Sequence, residues 1–378
     1  MRILPSQVLS RTFILDVLRG LAALYVLIGH ARWLLWEGYT EGYKLHPEAY
    51  TSFDKILVYV FSIFSFGHEA VMLFFVLSGF VIHYSSYNSF LRSGDFSIRE
   101  YFYKRLKRIY PPFLFALLLT WIIDATGRSF GYTIYSGATY FPVMNASIHS
   151  DLSWETLLVN LCMIQTMYKP VWGSNGPLWS LMYECWFYVL YIPIFFINKR
   201  YPLPAAYLTG SIFLVSLFVT TYEYRWVTVI HYFFAWYLGV LAADCYMGRV
   251  NGIKNRGFLT VYICAVFVSA TYITDYLYMR DFYIAACLVV VLYVALKFYT
   301  SLKWLYILQP LSNFSYTLYI IHFPILIFLS GWLQHRLDGA LPMHFGYVFS
   351  CTLICLLFAW AVHFLVEQPF VKKAGSKQ

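Results

Sequence analysis

Two ionisable residues, Arg19 and His30, lie within one apolar segment, residues 13–36. On an α-helix, side chains eleven residues apart lie within ~20° of each other and ~16 Å apart along the axis. Ionisable groups at membrane depth are costly, and they usually face a protein interior or a wet cavity on a functional path. The pair therefore predicts chemistry on one helix face, with a snorkelling arginine and a hydrogen-bonded structural histidine as the alternative.

Glu184 lies in another apolar segment, residues 178–197. If this segment crosses the membrane in the direction opposite to the first, Glu184 falls at a depth similar to that of His30. A carboxylate beside an imidazole raises the basicity of the ring and selects its tautomer, as a general base requires. The sequence thus predicts a catalytic pair of His30 and Glu184, while a structural ion pair for Glu184 is the alternative.

Arg105 and Arg108 lie one helical turn apart, just before the third apolar segment. Together with Arg19 they could clamp phosphate groups, because guanidinium groups match phosphate oxygens. A basic cluster at a cytoplasmic helix end also serves topology and anionic lipid, so both interpretations stay open. Ser78 and Gly79, predicted at the same side, allow a close backbone approach that suits ligand contact or helix packing.

The elements that must position these groups are membrane helices. Of the 378 residues, 60% are hydrophobic and only 12% are charged, against about 25% charged in a typical soluble domain. The apolar runs lack period-two alternation, which favours helices over a barrel. The sequence predicts an all-α polytopic membrane protein with about ten transmembrane helices, at residues 13–36, 56–84, 106–126, 178–197, 204–221, 227–247, 257–275, 281–299, 311–333 and 345–366.

The basic residues predict the orientation of these helices. Most Lys and Arg residues lie before the first span, around 92–108, in alternate later connections and after the last span. By the positive-inside rule both termini are cytoplasmic, and the first apolar run is a retained span. The formal charge of +9 is therefore mostly a topology signal, and it gives little support to nucleic-acid binding.

One long external segment, residues 127–177, interrupts the pattern of short connections. Long loops are often functional, so we predict an acceptor-binding lid that partly re-enters the membrane, with a structural cap as the alternative. His322, within the run 311–333, is predicted to be catalytic support or a structural core histidine. The seven cysteines form no CxxC pattern and most lie in apolar runs, so neither a disulfide framework nor a metal site is expected.

The order and spacing of these motifs resemble the acyltransferase-3 family of membrane acyltransferases, over nearly the whole chain. The motifs that carry the resemblance are Arg19-x10-His30, Phe-Phe-Val-Leu-Ser-Gly-Phe at 74–80, Arg105-x2-Arg108 followed by Ile-Tyr-Pro, Trp179-Ser180-Leu-Met-Tyr-Glu184, and Ser315-Tyr316-x2-Tyr319-x2-His322-x-Pro324.

This resemblance implies roles for individual residues. With the interpretations above, it gives a catalytic site of His30 and Glu184, donor binding by Arg19, Ser78, Gly79, Arg105 and Arg108, and support from Ser180, Tyr316 and His322. The chain ends soon after its last predicted span, so we expect a single membrane domain over 1–378 without a fused soluble domain, the stand-alone form of the family.

The resemblance also implies an enzyme that moves an acyl group, most often acetyl, from cytoplasmic acetyl-CoA to a hydroxyl of a cell-envelope glycan (O-antigen, capsule or exopolysaccharide) at the bacterial inner membrane. The expected partners are acetyl-CoA, the glycan acceptor and membrane lipids, with no permanently bound cofactor and no metal. The alternatives are succinyl transfer, a secondary transporter or exporter of an envelope precursor, and a structural protein of the envelope. A lack of detectable inverted repeats disfavours the transporter. The sequence leaves the acceptor and the oligomeric state open.

Overall fold

The computed structural model describes residues 5–216, 219, 225–250, 277–298 and 302–371. The regular structure of these ranges is helical, which confirms the predicted all-α class. The helices are α1 (Pro5–Leu35), α2 (Ser52–Ser62), α3 (Gly67–Ser93), α4 (Ile98–Ser129), α5 (Pro142–Ser147), α6 (Trp154–Leu161), α7 (Leu178–Asn198), α8 (Pro202–Ser216), α9 (Val227–Tyr246), α10 (Leu277–Lys297), α11 (Gln309–Asn313), α12 (Ser315–Arg336), α13 (Gly346–Val366) and α14 (Gln368–Val371).

Seven segments of the described chain are long and apolar enough to cross a bilayer, so the protein is a polytopic membrane protein. They are Phe13–Tyr43, Gly67–Ser93, Ile98–Ser129, Leu178–Asn198, Val227–Tyr246, Ser315–Arg336 and Gly346–Val371. Pro202–Ser216 is a shorter apolar helix, and the predicted span 281–299 corresponds to the 21-residue α10. The predicted span 257–275 lies outside the described residues.

The predicted span 56–84 is wrong in its first part, because the chain breaks between α2 and α3. Phe64 leaves helical geometry, and Phe66 at φ −98°, ψ 45° does not resume it. The Tyr25 hydroxyl of α1 accepts a hydrogen bond from the Phe66 amide at 3.2 Å and donates one to the Ile63 carbonyl. A side chain from another helix thus supplies the partners that the broken helix lacks.

The helix that corresponds to the third predicted span, 106–126, extends beyond that range at both ends. Helix α4 begins at Ile98 and continues to Ser129, with Pro111 and Pro112 in its interior. Arg105 and Arg108 therefore lie within a helix rather than before it. The external segment correspondingly begins at residue 130, and it contains the short helices α5 and α6.

The chain divides into two compact units. Unit 1 comprises residues 1–19, 68–104 and 182–309, and unit 2 comprises residues 20–67, 105–181 and 310–378. In unit 1, α9 packs against α8 and α10, and in unit 2, α12 packs against α13.

In unit 1, two glycines allow α3 and α9 to approach at backbone distance. A Cβ added at Gly79 would lie 2.1 Å from the Trp236 carbonyl oxygen, and one added at Gly239 would lie 2.0 Å from the Val76 carbonyl oxygen. Small residues that let helix backbones approach are a common device of membrane helix packing. The structure thus shows Gly79 in helix packing, one of the two roles that the sequence left open, and its contact with the donor stays a prediction.

A buried polar cluster also joins three helices of unit 1. The Asp244 carboxylate accepts hydrogen bonds from His83 Nε2 at 2.9 Å, Arg249 at 2.5 Å and Asn198 Nδ2 at 2.7 Å. His83 Nδ1 then accepts from the Tyr191 hydroxyl at 2.7 Å. His83 and Asp244 have no exposed surface, so removing one partner would leave a buried charge unpaired. We interpret the cluster as structural, because it holds the three helices together.

We predict that Gly239→Ala and Gly79→Ala each lower the thermal unfolding temperature of the purified protein, because the new methyl group meets a backbone carbonyl that cannot move aside. Overpacking of this kind costs about 1–3 kcal/mol. Gly210→Ala in α8 is the matched control, since its Cβ would meet only ring atoms at 3.8 Å. Equal melting temperatures for all three variants would contradict the close crossing.

Candidate functional site

The two histidines singled out in the sequence lie against each other in unit 2. His30 of α1 and His322 of α12 place Nδ1 and Nε2 respectively 2.9 Å apart. Their rings are nearly parallel, with centroids 5.2 Å apart and 9° between the planes. Phe323 packs edge-on against the His30 ring, with centroids 4.7 Å apart. Two residues 292 positions apart in sequence thus form one imidazole pair.

The hydrogen-bond pattern selects the tautomer of both rings. His322 Nδ1 lies 3.0 Å from the Leu318 carbonyl oxygen, which can only accept, so His322 Nδ1 carries a proton. Neutral His322 then has an acceptor at Nε2, to which His30 Nδ1–H donates. A neutral His30 in this arrangement has its lone pair on Nε2. An oriented imidazole with a free lone pair is the group that a general base requires.

Tyr319 and Ser180, both in unit 2, pack beside this pair. The Ser180 hydroxyl donates to the Pro177 carbonyl at 3.1 Å and lies 2.8 Å from the Tyr319 hydroxyl. The Tyr319 ring lies 6.1 Å from the His322 ring, centroid to centroid. Ser180 is therefore connected to the histidine pair through Tyr319, and the supporting role of Ser180 stays a prediction.

Tyr316 ties α12 to α4 in the same unit. Its hydroxyl donates to the Ile109 carbonyl at 3.0 Å, directly after Arg108. Arg105 is half-buried and Arg108 is exposed. Arg108 also interacts electrostatically with the buried Glu367. Tyr316 thus holds the helix that carries the paired arginines against the helix that carries His322.

In unit 1, Glu184 of α7 has two hydroxyl donors. Ser78 of α3 donates to Glu184 Oε1 at 2.8 Å, and Tyr188 donates to the same oxygen at 2.6 Å. A carboxylate held by two hydroxyl groups is kept in one orientation. The structure brings the predicted residues Ser78 and Glu184 together, whereas the pairing of Glu184 with His30 stays a prediction.

Arg19 forms a local ion pair within α1. Its guanidinium lies 3.0 Å from Asp16 Oδ1, and about a quarter of its side-chain surface is exposed. A pair three residues apart on a partly exposed helix contributes little to stability. The predicted role of Arg19 in donor binding stays a prediction.

The external segment of unit 2 is anchored to α4 and α12 from residue 150 onward. Asp124 of α4 accepts hydrogen bonds of 2.7 Å from the Ser150 hydroxyl and from both the amide and the hydroxyl of Ser174. Asn175 donates to Thr120 and to the Ile320 carbonyl. These bonds fix this part of the segment against α4 and α12, and its function as a lid or as a structural cap stays a prediction.

Asp151 organises the middle of the same segment. Burial acts to raise the pKa of its carboxyl group, but hydrogen bonds from the Thr156 hydroxyl and from Ser153 outweigh it and lower that pKa. The carboxylate lies 2.5 Å from Thr156 and 2.9 Å from the Ser153 amide, beside the first turn of α6. Its backbone carbonyl accepts from Gly173 at 2.9 Å. The ionised side chain of Asp151 thus orders the start of α6, and its backbone carbonyl holds the chain where it returns to α7.

The sequence analysis missed one feature of the site and one of the structural core. It assigned His322 a supporting role but did not identify it as the hydrogen-bond partner of His30. It also passed over Asp244, although a carboxylate within the apolar run 227–247 is itself a signal of a buried polar network. The pairing of His30 with His322 joins residues far apart in sequence, and such a contact produces no periodic pattern in the sequence.

Known proteins are similar to this chain over the region that contains the candidate site. A protein-family model described as "Acyltransferase domain", Acyl_transf_3, matches residues 13–363. Acyltransferase MdmB of Streptomyces mycarofaciens is similar to the chain, with 22% identity over 343 residues that cover 82% of this chain and 83% of that protein. No solved structure gives a significant match. The matched region contains every residue assigned to the site.

We predict that ¹⁵N spectra of histidine-labelled protein show His30 protonated at Nδ1 and unprotonated at Nε2. His322→Phe removes the acceptor for Nδ1–H, so the His30 signals should shift toward a mixture of tautomers. His344→Phe, at an exposed position, is the control and should leave those signals unchanged. A His30 ring protonated at Nε2 in the unsubstituted protein would contradict the hydrogen-bond chain from His30 through His322 to the Leu318 carbonyl.

Proposed function

Because the chain belongs to the Acyl_transf_3 family of membrane acyltransferases, we propose that it transfers an acetyl group from cytoplasmic acetyl-CoA to a hydroxyl of a cell-envelope glycan. Family membership favours an enzyme over the transporter and the structural protein. The proposal includes about ten spans with both termini on the cytoplasmic side of a bacterial inner membrane, as the distribution of basic residues predicts. O-antigen, capsule and exopolysaccharide are the acceptor classes that it covers.

The observation that supports this function best is the hydrogen-bonded pair of His30 and His322. The relay from the Leu318 carbonyl through both rings orients the lone pair of His30 Nε2. That lone pair can take the proton of an acceptor hydroxyl while the oxygen attacks the thioester carbonyl carbon. The carbon–sulfur bond then breaks, and the departing thiolate recovers a proton from the His30 imidazolium, which balances the reaction.

The residues proposed for the donor are Arg19, Ser78, Gly79, Arg105 and Arg108. Three arginines match the three phosphate groups of CoA in chemical type, because guanidinium groups bind phosphate oxygens in pairs of hydrogen bonds. Tyr316 supports this assignment, since its bond to Ile109 holds the arginine-bearing turn of α4. Glu184, bonded to Ser78 and Tyr188, is proposed to act on the proton balance of the same reaction.

Direct transfer and a covalent route share the same histidine. In the covalent route His30 Nε2 itself attacks the thioester, the thiolate leaves, and the acceptor oxygen then displaces the imidazole. An acylated protein trapped with donor and without acceptor would favour this second route.

We predict that His30→Ala abolishes acylation while leaving the protein folded and able to bind acetyl-CoA. Loss of a general base typically costs ~10²–10⁴-fold in rate. Glu184→Gln should also impair turnover and spare donor binding. The measurements are the acetyl content of envelope glycans from producing cells and the Kd of the purified protein for acetyl-CoA, with His344→Ala as control. Near-normal product from a verified His30→Ala protein would contradict the proposal.

We predict that Arg105→Ala and Arg108→Ala each weaken acetyl-CoA binding by about tenfold or more, because each removes a charged donor to a phosphate oxygen. Arg92→Ala is the matched control: Arg92 is exposed at the end of α3 and bonds the Asn88 carbonyl of its own helix. Acetyl-pantetheine, which lacks the nucleotide, should bind all four proteins equally. If Arg92→Ala weakened acetyl-CoA binding equally, the basic residues Arg105 and Arg108 would serve only to orient the protein in the membrane.

A further inference from the structure

A pocket of about 170 Å³ opens in unit 2 where α1 ends. The helix supplies Arg32 and Trp33, the turn after it supplies Glu37 and Glu41, and the external segment supplies Phe141 and Val143. On the proposed topology this end of α1 faces the external side. The pocket thus combines aromatic rings with one cation and two carboxylates.

The turn after α1 brings the acidic side chains to the rim. Gly38 adopts φ +60°, a conformation that favours glycine, and the chain then forms a π-helical turn, Gly38–Tyr43. The Glu37 amide donates to the Pro342 carbonyl at 3.2 Å, and its carboxylate accepts from the Tyr50 hydroxyl at 3.2 Å. Burial and the charge of Glu37 raise the pKa of Tyr50, which keeps that hydroxyl a donor. The rim is therefore pre-formed.

Aromatic ring contacts connect the wall of the pocket to the histidine pair. Trp33 lies three residues after His30, so the two side chains are neighbours on one helix face. Phe323 contacts both of them, with its ring centroid 4.7 Å from His30 and 6.4 Å from Trp33. A ligand held against Trp33 is thus close to the proposed base.

Arg32 offers a donor to such a ligand. Its Nε atom is buried, and no hydrogen-bond partner for it occurs among the described residues. Buried donors are almost always satisfied in proteins, so one that lines a pocket points to a ligand acceptor. Glu37 and Glu41 supply acceptors for hydroxyl protons, and the three charges together disfavour an anionic ligand.

The pocket is large enough for a single ring. A cavity of ~150 Å³ accepts one benzene molecule, so about 170 Å³ accommodates one six-membered ring. Pockets of this kind pair apolar and aromatic walls with a few polar groups that orient the ligand. A pyranose fits both requirements, because it carries a C–H face that packs on an indole and hydroxyl groups at its edge.

We propose that this pocket binds one neutral pyranose unit of the acceptor, with its C–H face on Trp33 and its hydroxyl groups on Arg32 and the two glutamates. It thereby presents a hydroxyl to His30. This inference rests on the proposed function in placing the ring as acceptor, and it names the part of the acceptor that is recognised. Through Phe141 and Val143, which form an apolar part of the pocket wall, the external segment also contributes to the choice of acceptor.

Binding can be tested without turnover. Saturation-transfer NMR with methyl hexopyranosides and with a methyl glucuronoside is measured on the protein in lipid nanodiscs, since alkyl maltoside detergents are themselves glycosides. Trp33→Ala and Arg32→Gln should each weaken binding of the neutral glycosides about tenfold or more, and Trp33→Phe should restore part of it. Trp154→Ala and Arg336→Gln, at exposed positions outside the pocket, are matched controls that should retain binding.

The outcomes separate this inference from the proposed function. Retained glycoside binding in both pocket variants, tighter binding of the glucuronoside, or no glycoside binding by the unsubstituted protein would each overturn the pocket proposal. Binding and thioester cleavage of acetyl-CoA are measured on the same samples. A protein that binds neutral glycosides through Trp33 and Arg32 but never uses acyl-CoA would refute the acetyl-CoA function and leave the carbohydrate site standing.

Discussion

The hydrogen bond between His30 and His322 is the interaction on which the site in unit 2 depends. Both residues lie in helices apolar enough to cross a bilayer, where water is not available to satisfy polar groups. Each ring therefore needs a protein partner, and the Leu318 carbonyl completes the chain of donors and acceptors. Two neutral imidazoles satisfy each other without leaving an unpaired charge. The same requirement that stabilises the pair also selects the tautomer in which His30 has its lone pair on Nε2.

The same constraint explains the buried networks elsewhere in the chain. Asp244 in unit 1 has His83, Asn198 and Arg249 as donors, and Asp124 in unit 2 has two serines. Both carboxylates are fully buried, a condition that proteins tolerate only with close polar partners. The first network joins α3, α7 and α9, and the second attaches the external segment to α4. The hydrogen bonds of Asp124 fix the external segment from residue 150 onward. The earlier part of the segment contributes Phe141 and Val143 to the pocket.

Much of the candidate site follows from local signals in the sequence. His30 and Glu184 are ionisable groups inside apolar runs, and such groups stand out because burying them is costly. Arg105 and Arg108 stand out by their spacing. The hydrogen-bond partners of these residues do not stand out in the sequence. Ser78 bonds Glu184, and His322 bonds His30, only because helices distant in sequence pack together. Tyr188 lies one turn after Glu184 on the same helix, and only the structure shows the bond between them.

By itself, the sequence determined that the chain is a helical membrane protein, because long apolar runs permit little else in a bilayer. It also indicated the family, through motifs whose order survives across the whole chain. Helix ends were less accurate: the Tyr25 hydroxyl ends the run that hydropathy had continued from residue 56 to 84. Only the tertiary structure decided the tautomer of His30, the close crossing at Gly79 and the pocket beside Trp33. Each of these depends on atoms from separate segments meeting at hydrogen-bond or van der Waals distance, which no local pattern encodes.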